Sequence, residues 1–163
     1  MKNKTLWKQV GAAAIAAAMV MSTVPATPVQ AAGGKTLAVS SQKQLNQALK
    51  TVKGKNAVIT VKAGKNVKIT IPKGTYKVTI RVVGKKAAVV NNGTVKEIVV
   101  NSKGTVAIKN NGTIKKVTVQ NAKRVSFSGN HKKAVPVVVN AEDVSMILAA
   151  PAKITAKKDV NIV

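Results

Sequence analysis

From Asn56 onward the chain keeps returning to one short pattern: an apolar residue, a small or polar one, a second apolar one, then a corner. It reads Ile59-Thr60-Val61 and Ile69-Thr70-Ile71, then Val78-Thr79-Ile80 and Ala88-Val89-Val90, then Ile98-Val99-Val100 and Val106-Ala107-Ile108. It goes on through Val117-Thr118-Val119 and Val125-Ser126-Phe127, Val137-Val138-Val139 and Val144-Ser145-Met146, and Ile154-Thr155-Ala156 and Val160-Asn161-Ile162. Alternation of this kind has the period of a strand rather than a helix, and Val, Ile and Thr suit a pleated, half-buried surface. Asn-Gly, Lys-Gly and Gly-Lys pairs supply the corners.

The pattern is also a repeat. Asn91-Asn92-Gly93-Thr94-Val95-Lys96 returns as Asn110-Asn111-Gly112-Thr113-Ile114-Lys115, an offset of 19. Asn-Gly is a strong hairpin signal. Here, however, it occurs once per repeat rather than between every pair of strands, and the strand units recur in the same order. A coil that winds in one direction explains this better than a series of hairpins. The expected fold is all-β: a single-stranded parallel β-helix, or solenoid, of about six turns over residues 56–163. Equivalent residues of successive turns then stack ~4.8 Å apart. The first inward column is expected to run Ile59, Val78, Ile98, Val117, Val137, Ile154, with Val61, Ile80, Val100, Val119, Val139 and Ala156 beside it. The second is expected to run Ile69, Ala88, Val106, Val125, Val144, Val160, with Ile71, Val90, Ile108, Phe127, Met146 and Ile162 beside it. Asn91 over Asn110, and Asn92 over Asn111, are expected to form amide ladders that bond the corner backbone.

Two segments precede the coils. Residues 32–55 read as a linker and a capping helix: Ser41 with Gln44 three positions on is a capping box, and Leu45, Ala48, Leu49 and Val52 form one apolar stripe. Such a helix would close the open edge and apolar end of the first coil. Residues 1–31 read as a secretory signal peptide. Lys2, Lys4 and Lys8 precede the apolar run Gly11 to Val24, Pro25 and Pro28 break it, and Val29-Gln30-Ala31 offers a cleavage site after Ala31 or Ala32. The run is too short for a membrane span, which needs ~20 apolar residues. The expectation is a protein secreted to the cell surface, with no membrane anchor once the leader is removed.

Composition narrows the chemistry. There is no cysteine, so neither a disulfide framework nor a thiolate zinc site is available. The aromatics are Trp7, Tyr76 and Phe127, too few for a base-stacking nucleic-acid platform. His131 has no metal-ligating partners and reads as a solvated loop residue beside Lys132 and Lys133. The acids are Glu97, Glu142, Asp143 and Asp159, spread over several turns. That spread suits neither calcium, which takes six to eight oxygens, nor a carboxylate pair facing one glycosidic bond. No catalytic residue, metal or cofactor is assigned.

Against those four acids stand 28 Lys and Arg. Lysine is rarely buried unpaired, so nearly all must point outward. The repeat should set them in ridges: Lys62 with Arg81; Lys77 and Lys116 on either side of Glu97; Lys96 with Lys115; and Lys65, Lys85 or Lys86, Lys103 and Lys123 at one corner. Such ridges attract polyanions in a diffuse, salt-sensitive way. Lysine rather than arginine argues against bidentate phosphate reading. Acidic polysaccharide or a teichoic-acid-like polymer is the expected partner, with nucleic acid bound only non-specifically. The lysines can also be read as keeping a β-rod soluble.

The leader Val39-Ser40-Ser41, Leu45 and Ala48-Leu49, then Asn56-Ala57-Val58-Ile59-Thr60-Val61, then the stacked coils to the last residue, resemble secreted bacterial right-handed parallel β-helix proteins of the pectate-lyase-like superfamily. Similar coils occur in surface-layer and cell-wall-associated proteins of Gram-positive bacteria. The resemblance implies a right-handed coil. It also implies either an exported, non-enzymatic envelope protein or, as a lesser alternative, a degenerate polysaccharide lyase, because enzymes of that superfamily cluster acids that are dispersed here. The first alternative, ahead of the lyase, is a surface-assembly module that stacks end to end through its last coil.

Overall fold

The computed structural model describes residues 35–64 and 66–163; the expected signal peptide lies outside them. The elements are β1 (Lys35–Val39), α1 (Gln42–Thr51), β2 (Ala57–Ala63), β3 (Val67–Ile71), β4 (Thr75–Asn91), β5 (Thr94–Asn110), β6 (Thr113–Ile114), β7 (Val117–Asn121), β8 (Arg124–Ser128), β9 (Val135–Val139), β10 (Val144–Leu148), β11 (Ala152–Ala156) and β12 (Val160–Ile162). Every described strand pairing is parallel. The fold is a parallel β-solenoid of about seven turns.

One face runs β1-β2-β4-β5-β7-β9-β11. A second is built from β3, the later parts of β4 and β5, then β8, β10 and β12. β4 and β5 are 17-residue strands that bend round the corner and serve both faces. A short third side joins them through Thr75-Tyr76, Thr94-Val95 and β6. The seventh rung is β1, which pairs Leu37 with Ile59 and Val39 with Val61 in a stretch expected to be linker.

The core is the stack of inward aliphatic side chains. On the first face one column is Leu37, Ile59, Ile80, Ile98, Val117, Val137, Ile154, and the next is Val39, Val61, Val82, Val100, Val119, Val139, Ala156. The expected columns hold from Ile98 onward. Below it Ile59 meets Ile80 rather than Val78, and Val78 sits on Ala57. The slip arises from a bulge in β4 between Tyr76 and Thr79, where two residues oppose one in β5.

On the second face the columns are Val67, Ala87, Val106, Val125, Met146, Ile162 and Ile69, Val89, Ile108, Phe127, Leu148. The expected Ala88 and Val90 face outward, because a one-residue slip exchanges the two faces of a strand. Met146 lies over Val125, two positions from the register the sequence suggested.

α1 replaces the second-face strand of the first rung. Ser41 caps it, with its side chain accepting from Gln44 N, and the Gln44 side chain in turn accepts from the backbone N–H of Ser40 at 2.7 Å. Leu45, Ala48 and Leu49 are buried against β1 and β3. Gln42 closes the otherwise unpaired edge of β3. Its Nε2 donates to Thr70 O at 2.8 Å and its Oε1 accepts from Thr70 N at 2.6 Å, as a neighbouring strand would. The opposite end is uncovered, with Ile162 57% and Val163 73% exposed.

At the second corner the amide ladder forms as expected. Asn91 and Asn110 are both fully buried. Asn91 Nδ2 donates to Asn110 Oδ1 at 2.8 Å and to Gly93 O at 2.9 Å, and Gly93 N donates back to Asn91 Oδ1 at 3.2 Å. Outside it, Asn111 Nδ2 donates to Asn92 Oδ1 at 3.0 Å. The inner ladder stops at Asn110 because the next rung has Gly129 there, and a Cβ at Gly129 would meet Asn110 O at 1.9 Å.

Candidate polyanion interface

The corners decide where the lysines go. Strand interiors of the first face alternate aliphatic core positions with short outward ones, so little lysine is carried there. The outward column is Ala38, Thr60, Arg81, Val99, Thr118, Val138, Thr155. Lysine concentrates where the backbone turns.

The first ridge lies at the entry to this face. Tyr76, Val95 and Ile114 stack one above another, so Lys77, Lys96 and Lys115, each the next residue, come one rung apart. All three are exposed. Lys116 follows Lys115; on the next rung Val137 stands over Val117 and the two residues before it are Val135 and Pro136, so the lysine run does not continue there. At its first rung the ridge meets an open notch of about 530 Å³ with Lys35, Lys55 and Lys77 on its walls. Lys77 therefore stacks toward Lys96 and does not flank Glu97.

Glu97 is held by the rung above alone. Lys116 Nζ is 3.6 Å from Glu97 Oε1, and Thr118 Oγ1 donates to the same oxygen at 2.5 Å. A single acid between lysines relieves like-charge repulsion where two rungs would otherwise present cations side by side.

The second ridge lies at the exit from the first face. Gly84 stacks on Ser102, and Lys86, Thr105 and Arg124 stack further on, which brackets Lys85, Lys103 and Lys123 at the corner. All three are exposed. The corner is tight: a Cβ on Gly104 would meet Lys85 O at 1.9 Å, and Lys123 N donates to Gly104 O at 3.0 Å. Lys86 belongs to the outward column of the second face, so Lys85 is the corner residue. Lys65 lies outside the described residues. Two rungs further, Lys158 pairs with Glu142. That hydrogen bond, and the charge behind it, hold the Glu142 carboxyl below its ordinary value.

Lys62 and Arg81 do not stack: Lys62 is opposite Val83 and Arg81 opposite Thr60. The bulge that shifts the core column shifts these side chains with it. His131 is not a solvated loop residue. Its Nδ1 is 3.1 Å from Asn110 O and its Nε2 2.9 Å from Pro151 O, with the ring edge-on to Phe127 at 5.2 Å. It ties the corners of three rungs together.

Lys158, two rungs beyond Lys123, was missed as a corner lysine. Among the described residues, no three His, Asp or Glu side chains group to hold a metal ion. Asp143 and Asp159 precede the paired Val144 and Val160, and both are exposed. No helix among the described residues is long and apolar enough to cross a membrane. No family model, curated protein or solved structure matches the chain.

Proposed function

We propose that this is an exported, non-enzymatic β-solenoid that binds or coats acidic cell-envelope polymers, such as an anionic polysaccharide or a teichoic-acid-like chain, through its lysine ridges. The observation that carries this reading is the alignment of Lys77, Lys96 and Lys115 on consecutive rungs, all exposed. Without the leader and its Lys2, Lys4 and Lys8, the chain holds 25 basic residues against four acids. Cations ~4.8 Å apart repel one another and so cost stability at low salt. A polymer with regularly spaced anions relieves that repulsion along its length. Because the ridges are solvated lysine, the binding is electrostatic, undemanding of ligand stereochemistry, and weakened by salt.

The test is retention of the protein on an immobilised polyuronate and on a neutral polysaccharide of similar size. Retention on the first alone, lost in about 0.5 M salt where screening reaches a few ångströms, is the expected result. Equal retention on both, or none at low salt, overturns the reading. The same incubation should leave the polyuronate uncleaved.

A second reading, a surface-assembly module, rests on the inward apolar side chain of the last rung, Ile162, which stands over Met146, is 57% exposed and would be covered by a further β-rung. Rods that lengthen with protein concentration and persist in high salt favour it.

A further inference from the structure

We infer that the protein is a cross-linker: its two lysine ridges are separate binding lines, and one molecule holds two polyanion strands at once. This inference rests on the polyanion reading above and adds a valency to it.

The separation follows from the register. Within one rung the chain runs from Lys77 to Lys85, from Lys96 to Lys103, and from Lys115 to Lys123, crossing the full width of the first face each time. Seven or eight residues at ~3.3 Å each put the ridges roughly 23–26 Å apart along the surface. That is more than twice the ~8–10 Å over which charges act in physiological salt. A strand lying on one ridge therefore leaves the other unneutralised.

On the rungs of β5 and β7 the ground between them carries no cation beyond the ridges and Lys116. Its outward positions include Val58, Thr60, Thr79, Val99, Thr118 and Val138, all buried or half-buried. Glu97 stands beside the first ridge and is held by Lys116. Arg81, in the middle of the face, has Thr60 on one side and Val99 on the other, and Lys62, opposite Val83 on the rung of β2, is the other cation near it. A polyanion that crossed at β5 or β7 would leave lysine for a neutral threonine and valine surface. Following a ridge along the rod axis instead meets a cation on each of three successive rungs. Two strands lying lengthwise on two edges are thus favoured over one strand lying across.

Two triple variants test this, K77Q/K96Q/K115Q and K85Q/K103Q/K123Q. All six side chains are exposed, so the substitutions leave the core untouched, and circular dichroism checks that the fold is kept. Titration calorimetry with a hexauronate at about 0.1 M salt, where screening acts within ~10 Å, should give two equivalents per wild-type molecule and one for each variant. Mixed with a polyuronate of several hundred residues, the wild type should produce turbidity that rises and then falls as protein becomes excess, as bridging requires. Each variant should bind the polymer and stay clear. One equivalent for the wild type, or undiminished turbidity with either variant, overturns the cross-linking inference while the polyanion reading stands. No heat with the hexauronate and no retention on the polymer overturns both.

Discussion

The amide of Asn91 donates to Asn110 Oδ1 at 2.8 Å across one rung, in a site where neither residue is exposed. The same amide holds Gly93 through both its oxygen and its nitrogen. The corner that carries Thr94 and Val95 into the next rung, and with them the first lysine ridge, is fixed from inside the core. Asn91→Ala leaves Gly93 N–H and Asn110 Oδ1 buried and unpaired, while Gly93 O keeps the N–H of Thr113. It should cost about 2–4 kcal/mol, since each orphaned buried group costs ~1–3 kcal/mol. Asn92→Ala, on the outer ladder, should cost well under half of that. Urea denaturation of both variants at one fixed ionic strength measures the difference.

The register of the second face gives a sharper contrast between neighbours. Val89 is fully buried between Ile69 and Ile108, whereas Val90 faces outward beside Thr70 and Lys109. Val89→Lys buries an unpaired ammonium and should abolish folding. Val90→Lys should remain folded, with a stability change of about 1 kcal/mol or less, as for surface substitutions generally. Soluble expression and the thermal midpoint distinguish the two. If Val90→Lys proves the more damaging, the register is wrong by one residue.

At the second ridge, Gly104 has no room for a side chain. A Cβ there would lie 1.9 Å from the Lys85 carbonyl oxygen, which is backbone and cannot swing aside, whereas a Cβ on Gly64 meets nothing within 4 Å. Gly104→Ala should destabilise by about 1–3 kcal/mol, the range for overpacking. Gly64→Ala should be close to neutral. Thermal melts of the pair suffice, and Gly104→Ala should also blunt polymer binding by displacing Lys85 and Lys103.

The pair of Glu142 and Lys158 provides the pH dependence. The hydrogen bond from Lys158, aided by its charge, lowers the Glu142 carboxyl from its ordinary value. A carboxyl lowered by folding contributes stability above its unfolded value, about 4.3, and that contribution is lost as pH falls through the lower folded value. Followed by NMR, the Glu142 side chain should titrate below an ordinary glutamate, and Lys158→Gln should bring its midpoint back up. An unchanged midpoint in the variant would show that the pair does not form in solution.

Much of the fold could be read from the residues, and the failures have physical causes. From Ile98 onward the first-face columns were legible because the two copies of Asn-Asn-Gly-Thr pin the register. Below Ile98 the alternation runs on through Val78, Ile80 and Val82, and a two-residue slip keeps every side chain on its own face, so periodicity alone does not detect it. Ala87-Ala88-Val89-Val90 is apolar at every position, so alternation gives no phase there. β1 was missed because five residues beside a helix and an apolar leader carry too short a pattern. Ridge positions at corners were legible wherever the repeat was regular, as at Lys96 and Lys115. They failed next to the β4 bulge, as at Lys62 and Arg81, because an extra residue is invisible to a fixed period.

Because the rungs are stacked in parallel, their backbone hydrogen bonds point along the axis of the rod. A pull between β1 and β12 therefore loads the bonds of one rung at a time rather than shearing all of them together. Each coil of about 19 residues that peels away releases roughly 65 Å of slack at ~3.4 Å per residue. A single molecule held at β1 and β12 and stretched should therefore lengthen in small successive steps, one coil at a time.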